Sequence, residues 1–303
     1  MTDRYSVSMK PTPPPLATDS RAGILWMVMT MMLFVCMDTC AKYLVGLYPT
    51  MEVVWGRYFF QVVILLVVLG PRLRTIMKTQ SLPFQLVRSL FLLGATLCFF
   101  SGLSTIQVAE ASAIMFTAPL ILTALAPFVL KEKVGIRRWA SVLIGFAGAM
   151  IIIRPGQDAI AVGAFWVLGA AACYACYQIS TRLLSGQDSV LTTLFYSALL
   201  GAIIMSVVVP FDFQPPTPID WAIMALAGLF GTLGHFCMIK ALTLTEASKL
   251  APYSYTNLIW ATIIGYVLFN DLPDLWTFVG AGVIIASGLY IIHREHRIKQ
   301  AEA

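Results

Sequence analysis

Residues 34–45, FVCMDTCAKYLV, carry Asp38 and Lys42 inside an otherwise apolar run. Opposite charges four residues apart on a helix can pair with each other or with a neighbouring helix. The next apolar run supplies Glu52 and Arg57. Laid antiparallel at ~1.5 Å per residue, Asp38 falls level with Arg57 and Lys42 with Glu52. Two readings of this charge ladder stand: a staple between two helices, or the border of a cavity where ion pairs open and close with substrate or proton occupancy.

Other residues add chemistry at depth. Tyr174, Tyr177, Gln178, Asn257 and Trp260 combine aromatic rings with amides and hydroxyls, which suits an amphipathic organic solute. The plainer reading is packing and an interfacial aromatic belt, and it is strongest for Tyr253 and Tyr255. His235 reads as a buried, hydrogen-bonded histidine or as a proton carrier. Lys240 reads as a snorkelling lysine or as a partner for a substrate carboxylate. Glu110 and Glu246, both in EAS triplets, read as first-turn acids facing a helix dipole or as gating residues at two mouths.

The elements that must position these residues are membrane helices. The chain is 59% hydrophobic and 12% charged, about half the charge of a soluble domain. Apolar runs near 22–46, 52–70, 85–105, 109–130, 139–154, 162–184, 189–209, 221–243, 249–269 and 275–292 predict ten spans. Residues 1–21 hold four prolines and no apolar core, so a mobile tail is expected and a cleavable signal peptide is not. With a cytoplasmic N-terminus, fifteen basic residues fall on inner segments and only Arg154 on outer loops. That asymmetry predicts that both termini are cytoplasmic. It also explains the net charge of +5 without nucleic acid, because the basic residues are scattered over short loops. The six cysteines all fall in predicted spans and read as packing residues.

The two halves resemble each other. MDTCAKYLVG (37–46) aligns with YQISTRLLSG (177–186), VAEAS (108–112) with LTEAS (244–248), and FVLKEK (128–133) with YVLFND (266–271). WASVLIGFAGAMII (139–152) aligns with WTFVGAGVIIASGLYII (276–292). Five spans per repeat is an odd number, so the second copy enters from the opposite side, as in many secondary transporters. The expected fold is an all-α membrane protein of ten transmembrane helices in a 5+5 inverted-topology repeat. Its parts are a cytoplasmic tail (1–21), two five-helix repeats (22–156 and 157–293) and a second tail (294–303). Gln178, Leu191 and Tyr196 replace Asp38, Glu52 and Arg57 in the second copy, so the ladder belongs to one half.

Over residues 22–293, the motifs WGRYFF, EASAIMFTAPL and KEKVGIRRWASVLIGFAGAMIIIRPG, in this layout, resemble the EamA-type drug/metabolite transporter superfamily. The resemblance implies a carrier of small organic solutes. Its third, fourth, eighth and ninth spans, with parts of the first, second, sixth and seventh, would line a central cavity, with the fifth and tenth at the back. One group within it, the YddG-like exporters, moves aromatic and other amino acids out of bacteria.

No H-E-x-x-H, G-x-S-x-G or Walker-type motif is present, so neither an enzyme nor an ATPase is expected. HREH (293–296) reads as a basic anchor rather than a metal site. No arginine cluster at one depth suggests phosphorylated solutes, and no selectivity filter suggests a channel. The expectation is a multi-pass inner-membrane exporter of amino acids, including aromatic ones, working by alternating access without cofactor or metal. Its partners are the solute and the bilayer; oligomeric state is left open. The alternatives are a carrier of other metabolites or drugs, by uptake or efflux, and a non-transporting scaffold or receptor.

Overall fold

A computed structural model describes residues 20–129, 135–154, 158–184, 188–244 and 247–302. These residues form helices and short connections, with no strand among them. In chain order the helices are α1 (Ser20–Val45), α2 (Thr50–Leu69), α3 (Leu73–Ile76), α4 (Leu82–Leu103), α5 (Val108–Met115), α6 (Ala118–Val129) and α7 (Ile136–Ile153). They continue as α8 (Asp158–Leu184), α9 (Val190–Val208), α10 (Pro218–Leu244), α11 (Ala247–Ser254), α12 (Thr256–Phe269) and α13 (Leu275–Glu302).

Eight stretches are long and apolar enough to cross a membrane, and Leu275–Ile291 is a shorter apolar helix. The chain is a multi-pass membrane protein, and its outer surface fits that solvent. Val67, Phe128, Val267 and Leu143 are exposed apolar side chains on different helices, as lipid requires. Within the helices, Thr30, Thr39, Thr96, Ser197 and Thr232 donate to the carbonyl four residues earlier, which satisfies each of these hydroxyls in an apolar setting.

The predicted fourth and ninth spans are each broken. α5 gives way to α6 at Phe116–Thr117, and α11 gives way to α12 at Tyr255. Pro119 and Pro252 lack the N–H that would continue the ladder through each region. At the first break the Thr117 hydroxyl donates to the Ile114 carbonyl at 2.8 Å. The break explains why no single long helix covers the ninth apolar run.

Packing is paired across the two halves. α1 lies chiefly against α10, and α8 against α4; α2 packs on α10 and α9, and α4 also on α9; α7 packs on α13. Glycines set the closest crossings. A Cβ on Gly148 would meet the Gly280 carbonyl oxygen at 2.9 Å, and one on Gly102 would meet the Gly163 carbonyl oxygen at 2.9 Å. Small residues let membrane helices approach this closely, and dispersion between their backbones holds them. α1 and α2, adjacent in sequence, barely touch. Among the described residues, the buried charged side chains Asp38, Glu52, Arg57, Arg88 and Asp220 lie on α1, α2, α4 and α10.

Candidate functional site

Arg57 stands at the junction of α1, α2 and α10. Its Nε donates to Met37 Sδ at 3.1 Å and its Nη1 to Thr96 Oγ1 at 3.0 Å. The guanidinium carbon lies 4.8 Å from the Tyr58 ring centroid and 5.9 Å from that of Phe100, within cation–π range. A Cβ on Gly231 would come within 4.0 Å of Nη2, so α10 leaves room beside the guanidinium. Nη2 has no partner among the described residues. The buried Asp38 carboxylate feels the Arg57 charge. Yet Asp38 makes no direct ion pair and no hydrogen bond with a described residue.

One turn along α10 from Gly231 stands His235, buried and edge-on to Phe34 with centroids 5.0 Å apart. The charges of Arg57 and Arg88 both act on it. Arg88, on α4, is held by donations from Nε to Thr181 Oγ1 at 2.7 Å, from Nη1 to the Thr193 carbonyl at 3.1 Å and Ser197 Oγ at 2.9 Å, and from Nη2 to Tyr177 Oη at 2.6 Å. Its guanidinium also lies 4.5 Å from the Tyr177 ring centroid. Tyr174 stacks on Tyr177 at 5.5 Å and 21°. Arg88 thus has neutral acceptors only.

A pattern separates these groups from ordinary core residues. The sealed, unpartnered polar atoms of the described residues belong to Glu52, Gln85, Gln107, Arg154, Trp260 and Thr262. Asp38, His235, Tyr174, Gln178 and Asn257 also lack a hydrogen-bond partner among the described residues, but their polar atoms are not in that sealed set. Each therefore keeps some accessible surface. Unpaired polar groups are costly in apolar surroundings, and of the five, Asp38, Tyr174 and His235 feel the charge of Arg57, Arg88 or both.

The charge ladder is corrected by these contacts. Asp38 and Arg57 are neighbours without a direct pair, and the Lys42–Glu52 rung does not form. Lys42 Nζ donates to the Ile106 carbonyl at 2.7 Å, with Glu110 and Asp271 as its acidic neighbours. Glu52 Oε2 accepts from the Gln214 N–H at 3.0 Å, and its Oε1 is sealed and unpartnered. The cause is the packing: α1 and α2 meet α10 rather than lying side by side.

Glu110 accepts from the Gln107 N–H at 3.2 Å at the first turn of α5, as a first-turn acid does. Trp260 packs against the cluster formed by Met27, Met31, Ala241 and Leu250, with its indole N–H sealed. Asn257 is half-buried one turn before Ala261 on α12. Lys240 is exposed, its ammonium 5.8 Å from the Phe236 ring centroid. Glu246 lies outside the described residues. Arg88 went unrecognised in the sequence because it stands near the start of a predicted span; its closeness to Tyr177 depends on contacts between the two halves.

Hydrogen bonds join the two halves toward both ends of the bundle. At one end Tyr48 Oη donates to Asp220 Oδ2 at 2.7 Å, and the Thr217 N–H donates to Tyr48 Oη at 3.2 Å. Arg154 pairs there with Asp274. At the other end Asp188 accepts from Thr79 Oγ1, from the Gln80 N–H at 2.9 Å and from Gln85 Nε2 at 2.9 Å. Burial pushes the Asp188 carboxyl up, but these three donors outweigh it and hold it below its ordinary value.

The EamA-like transporter family model matches residues 21–154 and again 161–293. An S-adenosylmethionine uptake transporter of Rickettsia bellii is 30% identical over 275 residues, covering 91% of this chain and 94% of that protein. A riboflavin transporter of Vibrio cholerae is 28% identical over 290 residues, covering 92% and 96%. A crystal structure of a protein 14% identical covers 92% of this chain and 99% of its own with a TM-score of 0.63, which bears on the fold alone. The family and these two named relatives are transporters, not enzymes. The relatives' names give amino acid export no support. Matched by the same family model twice along its length, this all-helical chain belongs to the EamA-like transporter family.

Proposed function

We propose that this transporter is a secondary carrier that imports a small metabolite bearing both a flat ring system and a charged group, with S-adenosylmethionine the first candidate. The observation that carries the reading is the set of unpartnered, unsealed polar side chains in the core. Asp38, Tyr174 and His235 stand within reach of the Arg57 and Arg88 charges, and Gln178 and Asn257 add polar groups on α8 and α12. A carrier's site needs this combination: polar groups solvated while the site is empty and satisfied by solute when it is filled.

The stacked pair Tyr174–Tyr177 offers a ring face, and Arg57 and Asp38 offer opposite charges. Riboflavin is the second reading, favoured by the same aromatic pair and by the similarity to a riboflavin transporter. The carrier would have ten spans in two inverted repeats, 22–156 and 157–293, both termini in the cytoplasm of a bacterial inner membrane, and a site near mid-depth. The end joined through Asp188 would then be cytoplasmic, and the end joined through Tyr48 and Asp220 external.

The test is uptake of labelled S-adenosylmethionine into proteoliposomes of the purified protein, with unlabelled S-adenosylmethionine, riboflavin and aromatic amino acids as competitors. Saturable S-adenosylmethionine uptake blocked by the unlabelled compound supports the first reading, and uptake of labelled riboflavin but not of S-adenosylmethionine supports the second. A folded protein that takes up none of these solutes refutes both.

A further inference from the structure

From the placement of Asp38 and Arg57, we infer that this site recognises an α-amino-acid headgroup, Arg57 taking its carboxylate and Asp38 its ammonium. The inference rests on the carrier reading above and narrows its substrate class.

Two buried side chains of opposite charge, close enough to act on each other, ordinarily collapse into a direct pair, since each unpaired charge in an apolar setting is costly. Here they do not. Arg57 is anchored elsewhere, by Thr96 through Nη1 and by Met37 through Nε, while its Nη2, 4.0 Å from where a Cβ on Gly231 would stand, has no partner among the described residues. Asp38, next to Met37 in the chain, keeps its carboxylate unpartnered and unsealed. Among the described residues, Arg57 thus keeps a free donor and Asp38 free acceptors.

The ammonium and carboxylate of an α-amino acid are joined through a single carbon. One such headgroup can therefore bridge two protein charges too far apart to pair directly, and satisfy both. A guanidinium matches a carboxylate with two parallel donors. A flavin has neither charge, and a simple cation or anion satisfies only one side. Arg88 contributes less to this discrimination, because its donors are already taken by Thr181, Thr193, Ser197 and Tyr177.

Ligand pairs that differ only in the headgroup test the inference on the unaltered protein. Labelled S-adenosylmethionine uptake into proteoliposomes is competed with S-adenosylhomocysteine, which keeps the headgroup. Decarboxylated S-adenosylmethionine lacks the carboxylate, and 5′-methylthioadenosine lacks the headgroup entirely. If S-adenosylmethionine is not carried, the same comparison runs on labelled tryptophan with tryptamine and indolepropionate. S-adenosylhomocysteine should compete, and analogues missing either charge should be weaker by about tenfold or more. In Arg57→Gln the carboxylate should lose its advantage, and in Asp38→Asn the ammonium should lose its own. Equal competition by 5′-methylthioadenosine and S-adenosylhomocysteine, or carriage of riboflavin but of no headgroup-bearing solute, overturns the inference and leaves the carrier reading intact. Absence of carriage for the whole panel by folded protein removes both.

Discussion

Phe116 and Tyr255 meet edge to face, with ring centroids 4.9 Å apart and planes at 85°. Each stands at the break of its own helix, Phe116 between α5 and α6 and Tyr255 between α11 and α12. The two irregular turns of the bundle are thus in contact with each other. A helix break has fewer ladder hydrogen bonds than the turns around it, so it is where a helix bends at least cost.

The contact gives a specific test. A Cβ on Gly288 would lie 2.4 Å from Tyr255 Oη. Gly288→Ala should therefore push the Tyr255 ring off Phe116 and slow transport, while Tyr255→Phe, which removes the clashing oxygen and keeps the ring, should restore it in the double variant. The ring pair itself is worth about 0.5–1.5 kcal/mol beyond its buried area. Initial uptake rates and thermal unfolding of the four proteins would check this. Equal rates in Gly288→Ala and the double variant would exclude the clash as the cause.

Arg88 should be required for folding as well as for the site. Arg88→Ala leaves the acceptors of Thr181, Thr193, Ser197 and Tyr177 without their donor, and a hydrogen bond from a charged group contributes about 1.5–3 kcal/mol. A loss of at least ~3 kcal/mol is expected. Arg88→Lys should recover only part of it, because an ammonium cannot reproduce the planar fork. Chemical unfolding in detergent would show the order wild type, Lys, Ala.

Lys42 and Glu52 should behave as independent residues. Because Lys42 bonds the Ile106 carbonyl and Glu52 the Gln214 N–H, the stability effects of Lys42→Met and Glu52→Gln should add to within about 0.5 kcal/mol. Lys42→Met combined with Glu110→Gln should deviate from additivity, since Glu110 is a charged neighbour of Lys42. A double-mutant cycle on each pair decides between the observed contacts and a ladder joining α1 to α2.

The Asp188 contact carries a sign with pH. Its carboxyl is held below the ordinary value of 3.8 by Thr79, Gln85 and Gln80, so its contribution to stability is complete above that value. It is lost as pH falls through the lower folded value. The stability gap between wild type and Asp188→Asn should stay flat from about pH 5 to 8 and narrow below pH ~4. A gap that instead grew as the pH fell would contradict the hydrogen-bonded, ionised carboxylate.

How much of this was legible in the sequence differs from residue to residue. Eight of the ten predicted spans were, because hydropathy reports burial in lipid directly and each of those runs is about as long as a bilayer is thick. The breaks at Phe116 and Tyr255 were not, because the apolar runs continue through them; Pro119 and Pro252 were the available signals. Asp38 and Arg57 were recognised as a level pair, but matching depths along sequence neighbours assumed that α1 and α2 pack together. The helices instead pack across the two halves, α1 on α10, so the second rung failed. Arg88 needed that same long-range knowledge, since its partners lie about 90 to 110 residues away.

The central claim is that the unpaired polar groups of the core form the site of a carrier. Counterflow tests it most directly: proteoliposomes loaded with excess unlabelled S-adenosylmethionine are diluted into a trace of the labelled compound. Transient accumulation of label inside, reduced at least about tenfold in Asp38→Asn or Arg57→Gln protein that remains folded, is the predicted result. No accumulation by the folded wild type, for S-adenosylmethionine, riboflavin or aromatic amino acids alike, or accumulation unchanged in both variants, would contradict it.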